Sequence, residues 1–293
     1  MQYTISVLVL AITILTFANT SNANEVLVDQ SGGNFVLSIT QIGEDNSAGV
    51  YIYGDNNNIT QYQEGNFNGI GGTGVALGSN NTLTFIQTGQ YNQFEGRMSG
   101  DNNVGEFFQG GTGESGHIGI TLDGDGNNVR VYQGKRQDGG MDAVEGGDHE
   151  AFWTVTGSNN VVGSYQTDNA ENCCVSAHHT ANIVVGDLNN VVVRQQSNGA
   201  HMGFVEVQGN NNNVDLTQTG NGSKFTDIVL TGDGHSTTNF QGGGGAHSLE
   251  LNLYNGGGAY NVNTNQTSSI NQSYTLTGAC TNPAGCGITI TQQ

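Results

Sequence analysis

The 293-residue sequence contains a single proline and only six lysine and arginine residues, and charged residues of all kinds make up 11% of it. Because 25 residues are acidic, the net charge is −19. Such a chain repels phosphate backbones and anionic lipid surfaces, so nucleic acid is not an expected partner. Long apolar runs are also missing after Ala18, and we do not expect the chain to be embedded in a membrane.

Motifs that carry catalysis are missing as well. We find no nucleophile elbow, no carboxylate pair in a recognisable context and no phosphate loop, because the run Gly242–Gly245 lacks the Lys-Ser/Thr of a P-loop. The sole tryptophan, Trp153, is expected to pack within an insertion. Apart from the adjacent pair His178-His179, the histidines are scattered, with at most one in each repeat: His117, His149, His201, His235 and His247. The sequence therefore predicts neither enzymatic activity nor a cofactor.

Residues 1–23 have the composition of a signal peptide. An apolar run fills residues 5–18, and the small residues up to Ala23 suit signal peptidase, so we expect cleavage after Ala23. The alternative is a membrane anchor, but about 14 apolar-rich residues are fewer than the roughly 20 that span a bilayer. The mature protein, residues 24–293, is therefore expected to be exported by the Sec route and secreted.

Glycine is abundant, with 47 residues, and accompanies a repeat marked by glutamine. The modal unit is about 23 residues long, and a fixed period of this size indicates a stacked architecture. Two longer spacings indicate insertions near residues 135–151 and 167–181. The glutamines of the repeat are Gln41, Gln63, Gln87, Gln109, Gln133, Gln166, Gln195, Gln218, Gln241, Gln266 and Gln292.

Asparagine and apolar residues keep fixed positions relative to these glutamines. Two and four residues before the glutamine the chain is mainly apolar, as at Val129 and Val131. Because side chains alternate along a strand, the asparagine, both apolar residues and the glutamine project to one side, which we predict is the interior. The asparagines that stand six residues before a glutamine are Asn57, Asn81, Asn103, Asn127, Asn160, Asn189 and Asn212.

A turn and a second, less regular strand complete each unit. Glycine and asparagine tolerate the positive φ that tight turns require. Second strands such as Val50–Tyr53 and Phe204–Val207 end in a further turn sequence. Glycine follows two residues after the glutamine at Gly43, Gly65, Gly89, Gly111, Gly220 and Gly243.

A unit of strand, turn, strand and turn cannot bury its inner face alone. Stacked units pair their backbones at about 4.8 Å and place like residues over like. Each buried amide then donates to one neighbour and accepts from another, so its polar atoms are satisfied. The sequence predicts an all-β fold, a single β-solenoid of about eleven stacked repeats.

The repeat resembles that of the curlin family. Segments Ser38–Ala48 and Asn213–Gly222 are similar to the curlin pattern Ser-x5-Gln-x-Gly-x4-Asn-x-Ala, and the likeness extends over nearly the whole mature chain. Curlin proteins are subunits of curli, bacterial amyloid fibres that pass through a dedicated outer-membrane pore and support adhesion and biofilm formation. The resemblance implies a fibre subunit or nucleator at the cell surface. It also implies association with itself, with other curlin-type subunits and with that pore.

Two other functional classes remain open. A monomeric secreted solenoid could act as an adhesin or bind ice or glycans, and Thr82-Leu-Thr84 and Thr289-Ile-Thr291 fit the threonine rows of ice-binding solenoids. Other units do not continue these rows. A polysaccharide-active β-helix enzyme would need a charged cleft on stacked coils, and it is the least favoured class.

The four cysteines are compatible with export, because disulfides persist outside the cytosol. Cys280 and Cys286 bracket a tight loop, so we expect a local disulfide between them. Cys173 and Cys174 are adjacent, and a bridge between neighbours is strained. That pair could equally stay reduced or bind between chains.

Two groups of residues invite a metal-binding interpretation. Cys173-Cys174 and His178-His179 offer four ligands for zinc or copper, but adjacent ligands seldom meet a tetrahedral geometry. Asp123-Gly-Asp125-Gly-Asn127 has the oxygen-rich character of a calcium loop without the nine-residue period of a calcium-binding β-roll. We favour a variable loop and turn-capping aspartates respectively, so no metal site is predicted.

Overall fold

The computed structural model describes residues 11–17, 24–111, 116–134, 149–167, 178–197, 199–254 and 258–293. Over these ranges the chain forms strands and turns without a helix, and the strands lie in two parallel sheets of twelve and eleven strands. The predicted all-β solenoid is confirmed, and the predicted number of about eleven units is close. None of the described segments forms a helix with the length and hydropathy needed to span a bilayer.

Successive strands alternate between the two sheets. The first sheet contains β1 (Ala11–Phe17), β3 (Val36–Ile42), β5 (Asn58–Asn66), β7 (Thr82–Gln90), β9 (Val104–Gly111), β11 (Asn128–Gln133), β13 (Val161–Thr167), β15 (Asn190–Gln196), β17 (Asn213–Gln218), β19 (Ser236–Gly242), β21 (Tyr260–Thr267) and β23 (Cys286–Gln292). The second contains β2 (Glu25–Ser31), β4 (Ser47–Tyr53), β6 (Gly69–Leu77), β8 (Gln93–Ser99), β10 (His117–Asp123), β12 (Glu150–Thr156), β14 (His179–Val185), β16 (His201–Gln208), β18 (Lys224–Ile228), β20 (His247–Tyr254) and β22 (Gln272–Ala279).

The stacking is parallel and keeps the repeat in register. Gln63 of β5 pairs with Gln87 of β7, which pairs in turn with Gln109 of β9. Each strand therefore hydrogen-bonds to the equivalent strand of the next unit, and equivalent side chains lie over one another at the strand spacing of about 4.8 Å.

The core lies between the two sheets. Val129 and Val131 point inward from the first sheet, while Ala151, Trp153 and Val155 point inward from β12 of the second. The expectation that Trp153 packs within an insertion is wrong. Trp153 belongs to a strand of the solenoid, whose alternation directs the side chain inward, and it is only 1% exposed.

The turns need glycine for two reasons. Gly54, Gly78 and Gly100 have φ of 112°, 125° and 110°, a region that L side chains rarely adopt. They also stack so closely that a Cβ on Gly78 would overlap the carbonyl oxygen of Gly100 in the next unit. Five of the predicted turn glycines have φ between 82° and 111°, namely Gly43, Gly65, Gly89, Gly220 and Gly243, whereas Gly111 is the last residue of β9.

One strand lies within the predicted signal peptide. β1 pairs with β3 over seven residues, from Ala11 opposite Val36 to Phe17 opposite Ile42. The first strand of the second sheet, β2, begins at Glu25, after the predicted cleavage point. Every strand of the described residues except β1 therefore lies within the segment 24–293.

The predicted insertions contain residues 135–148 and 168–177, which lie outside the described residues. The ends of the predicted ranges belong to the solenoid. Glu150 and Ala151 are in β12, Thr167 is in β13, and His179–Ala181 are in β14.

Candidate functional site

The glutamines of the repeat form a continuous ladder of hydrogen bonds inside the solenoid. In each step the Nε2 of one glutamine donates to the Oε1 of the next, over distances from 2.7 to 3.2 Å. The ladder runs through Gln41, Gln63, Gln87, Gln109, Gln133, Gln166, Gln195, Gln218, Gln241, Gln266 and Gln292.

Each ladder amide also connects the two sheets. The Nε2 of Gln63 donates to the carbonyl oxygens of Ser47 at 2.9 Å and Asn68 at 3.0 Å, at the start of the second-sheet strands. Gln63 itself is 0% exposed. A buried amide without partners would cost about 1–3 kcal/mol, so the ladder makes burial of this polar column possible.

The asparagine column has a different pattern of hydrogen bonds. The Oδ1 of Asn57 accepts the backbone N–H of Asn81 at 2.9 Å, and the Nδ2 of Asn57 donates to the carbonyl oxygen of Gly78 at 2.9 Å. The Oδ1 contact recurs at every asparagine of the column, which therefore accepts a backbone N–H of the next unit, whereas the Nδ2 of Asn103 has no partner among the described residues. The buried residues of this column are Asn57, Asn81, Asn103, Asn127, Asn160, Asn189 and Asn212.

The glutamine ladder has a direction and two unlike ends. Its first amide, Gln41, has a buried Oε1 without a hydrogen-bond partner in the described part of the chain. Its last amide, Gln292, has an Nε2 that donates to the carbonyl oxygen of Ser273 at 3.4 Å, in an exposed position. The ladder thus ends in an acceptor on one side and in a donor on the other.

A second corner of the interior carries basic residues that the sequence analysis did not bring together. The corner column starts with Asn46, Asn68 and Asn92, each buried at the entry to a second-sheet strand. Further along it holds His149, His178, His201, Lys224 and His247, which are all at most 2% exposed. The sequence contains a pattern that could have identified this column, because His201, Lys224 and His247 each stand six residues after a ladder glutamine.

His149 and His178 take over the hydrogen bonding of asparagine in this column. The backbone N–H of His178 donates to the Nδ1 of His149 at 3.3 Å, as the N–H of Asn68 donates to the Oδ1 of Asn46 at 3.1 Å. The imidazoles stack with ring centroids 4.8 Å apart for His149 and His178, and 4.9 Å apart for His178 and His201. By accepting a hydrogen bond through Nδ1, the ring of His149 repeats the acceptor role of the asparagine oxygen.

Lys224 lies in the same column, and its whole side chain is buried, including the ammonium group. Its Nζ donates to the carbonyl oxygens of Gly222 at 2.6 Å, Gly245 at 2.8 Å and Gly243 at 3.1 Å. Burial lowers the pKa of Lys224 from 10.5 to about 8. Burial also lowers the pKa of His247, an effect that the charge of Lys224 reinforces and hydrogen bonds to backbone groups oppose.

The cysteines and their neighbouring histidines are separated by the fold. A disulfide joins Cys280 to Cys286 and closes the loop between β22 and β23, with 5.8 Å between the Cα atoms. Cys173 and Cys174 lie outside the described residues. His178 points into the core, whereas His179 points outward and its Nδ1 lies 2.9 Å from the carboxylate of Glu150. Within the described ranges no group of three or more potential ligands is placed to hold a metal ion.

Aspartates in the turns bind backbone groups of the neighbouring unit. The Oδ1 of Asp101 accepts the N–H of Ser79 at 2.6 Å, and the Oδ1 of Asp125 accepts the N–H of Asp101 at 2.7 Å. These contacts cap otherwise unpaired donors at the corner of the coil. The same arrangement recurs at Asp187 and Asp233.

Comparison with known proteins does not extend these observations: no model of a known protein family matches the chain, and no curated protein is significantly similar to it. Fold and interior together define a class, the two-sheeted parallel β-solenoid with buried amide ladders.

Proposed function

We propose that this chain is the structural subunit, or a nucleator, of an extracellular amyloid-like fibre that grows by end-to-end stacking of solenoids. The resemblance of its repeat to the curlin repeat supports a role at the cell surface in adhesion and biofilm formation. It also supports export through an outer-membrane pore, and contact with other curlin-type subunits. The fibre function is structural, so catalysis and a cofactor have no part in it.

The observation that carries this proposal is the unfinished state of the ladder. Gln41 presents an acceptor at one end and Gln292 a donor at the other, which is the pairing that every internal step uses. Backbone edges are open as well, because among the described strands β22 and β23 have neighbours on one side only. An open edge of this kind is a template for another chain.

Apolar side chains at the two ends support the same stacking. Val26 and Val28 on β2, and Leu276 and Ile288 near the other end, pack against the core but are only partly buried. If Gln292 of one copy lies over Gln41 of the next, β23 continues onto β3 and these side chains become interior. Burial of apolar area contributes roughly 25 cal/mol per Å², so stacking is favoured at both sheets.

Strand β1 affects when fibre growth can begin. It covers β3, the first-sheet edge that the stacking model uses. Removal of residues 1–23, as the sequence predicts, would uncover that edge after export. Growth would then be faster for the processed protein.

Purified residues 24–293 provide the test. We expect a thioflavin signal and a fibre reflection at about 4.7–4.8 Å, the strand spacing of a cross-β fibre. The chain with residues 1–23 should grow more slowly, because β1 covers the growing edge. A processed protein that stays monomeric after long incubation would contradict the proposal and favour a monomeric binding module.

A matched pair of variants separates end-to-end stacking from general aggregation. Ile290→Lys places a charge on the inner face of the last strand, where a second copy would stack, whereas Thr289→Lys places it on the outer face. Ile290→Lys should stop elongation and leave the monomer folded, and Thr289→Lys should elongate like the natural sequence. Equal behaviour of the two variants would refute stacking through this end.

A further inference from the structure

The outer face of the second sheet carries a groove that fibre stacking does not use. It crosses the strands from β8 to β18 and has a volume of about 670 Å³. Three apolar side chains line it and remain exposed to solvent: Phe152 (39%), Ile183 (47%) and Phe204 (38%). Outward positions of a solvated sheet are normally polar, so a cluster of apolar side chains in a concavity indicates a contact surface.

Small residues give the groove its shape. Strand pairing places Gly119, Phe152, Ala181, Phe204 and Asp227 in one row across five strands. The ring of Phe152 lies over Gly119, where a Cβ would come within 2.6 Å of its Cδ1. Ala181 separates the two phenylalanines, whose backbones are two strand spacings apart, roughly 10 Å. The row therefore contains a slot with an alanine floor and an aromatic residue on either side.

The rim of the groove is acidic. Glu95, Glu206 and Asp227 line it, against one basic side chain, Arg97. Within the described residues none of these three carboxylates forms a salt bridge. Burial raises the pKa of Asp227, and the charges of Glu250 and Glu206 raise it further, as expected where carboxylates gather without a counter-ion.

The charge pattern selects the kind of occupant. Aromatic faces and carboxylates both attract cations, and the apolar floor favours a ligand with an apolar portion next to its charge. A second copy of this chain is a poor candidate, because it has a net charge of −19 and only six lysine and arginine residues. Anionic partners are disfavoured for the same reason.

We propose that this groove binds a cationic, amphipathic peptide segment of another protein, with an apolar side chain in the slot beside Ala181 and lysine or arginine side chains on Glu206 and Asp227. The groove lies on the face of a sheet and not at an end of the solenoid, so it stays accessible in a stacked fibre. It would then recur once in every subunit. The site does not depend on the fibre proposal.

Trp153 offers a direct readout of binding. It is the only tryptophan in the chain, and it lies on β12 beneath the groove, next to Phe152. The probe is a short amidated peptide in which lysines flank a phenylalanine, titrated into the full chain at about 0.15 M salt, where distant charges are screened. Fluorescence of Trp153 and calorimetry then report the affinity. We expect saturable binding that is lost when the lysines are replaced by glutamate, or the phenylalanine by serine.

Variants of exposed groove residues test the location. Phe204→Ser, and separately the double change Glu206→Gln and Asp227→Asn, should each weaken binding by about tenfold. The matched double change Asp29→Asn and Glu44→Gln removes the same charge elsewhere and should leave the affinity unchanged.

Three outcomes would overturn the proposal. Equal weakening by both double changes would mean general attraction to an acidic chain. Equal binding of the peptide without phenylalanine would remove the role of the slot. Binding of a neutral oligosaccharide such as cellohexaose, with no binding of the peptide, would identify a glycan site instead.

Discussion

At the scale of single residues, the interior tolerates chemically different side chains if they repeat the same hydrogen bonds. The Nδ1 of His235 accepts the backbone N–H of Tyr260 at 3.0 Å, as the Oδ1 of Asn189 accepts that of Asn212 at 3.0 Å. Lys224 is the exception in its column, because it only donates. A buried ammonium group makes stability depend on pH.

Because Lys224 loses its charge in the folded chain, the free energy of unfolding should increase as the pH rises from 8 towards 10.5. Its pKa in the folded chain is about 8, so between these values the unfolded chain binds a proton that the folded chain has released, and the unfolding free energy rises. Below pH 8 the penalty for the buried charge is fully present. Over the whole interval from pH 8 to 10.5, the free energy of unfolding should increase by about 3 kcal/mol.

Urea unfolding at several pH values gives the free energy of unfolding, and its pH dependence is compared between the natural chain and Lys224→Met. The variant should lack the slope, while Lys135→Met, which removes the only other lysine, should retain it. The measurements should stay below pH 10. The hydrogen bond to Glu64 helps to raise the pKa of Tyr62 to about 12, so above pH 10 this tyrosine makes the unfolding free energy fall as the pH rises. Identical slopes for all three proteins would contradict the assignment.

At the scale of the element, the turns are the least tolerant parts of a unit. Gly78→Ala should destabilise the protein by about 2 kcal/mol or more, because φ is 125° there and the new Cβ would overlap the carbonyl oxygen of Gly100. Gly69→Ala is the matched control, since no atom beyond the adjoining residues Asn68 and Ile70 lies within 4 Å of a Cβ at Gly69. Denaturant midpoints that fall equally in both variants would show that the stacked turn is not the cause.

The fold could be predicted from sequence because each unit repeats the same pattern in the same order. A glutamine at a constant interval, with apolar residues two and four places before it, specifies a strand, its inner face and its register together. The corner column escaped prediction because its members share a buried position and not a residue type, although some of them, such as Asn68 and His178, repeat the same hydrogen bond.

The groove escaped prediction for a different reason. Phe152, Ile183 and Phe204 are outward residues on three strands, which lie far apart in the sequence. Each alone looks like an ordinary exposed apolar residue, and such residues are common. Only the parallel register brings them side by side, so the site becomes visible with the structure.

At the scale of the whole molecule, net charge opposes the association that the open ends favour. Two copies that each carry −19 repel, and salt screens the repulsion over a distance of about 10 Å at 0.1 M and 3 Å at 1 M. Fibre growth should therefore accelerate as salt is raised from about 0.01 M to 0.1 M. Thioflavin half-times give the rate, and preformed fibres of the natural chain at each salt concentration are the control for changes in dye binding. Growth that slows with added salt would show that attraction between charges drives assembly.

The one-way glutamine ladder has an electrical consequence. Each side-chain amide is a dipole, of about 3.5 D if it resembles a peptide unit, and all of them align from the oxygen of Gln41 to the nitrogen of Gln292. The column therefore has a partially negative face at its beginning and a partially positive face at its end. Molecules joined in sequence would sum these moments along the filament, so its two tips would carry opposite partial charges and should add new molecules at unequal rates.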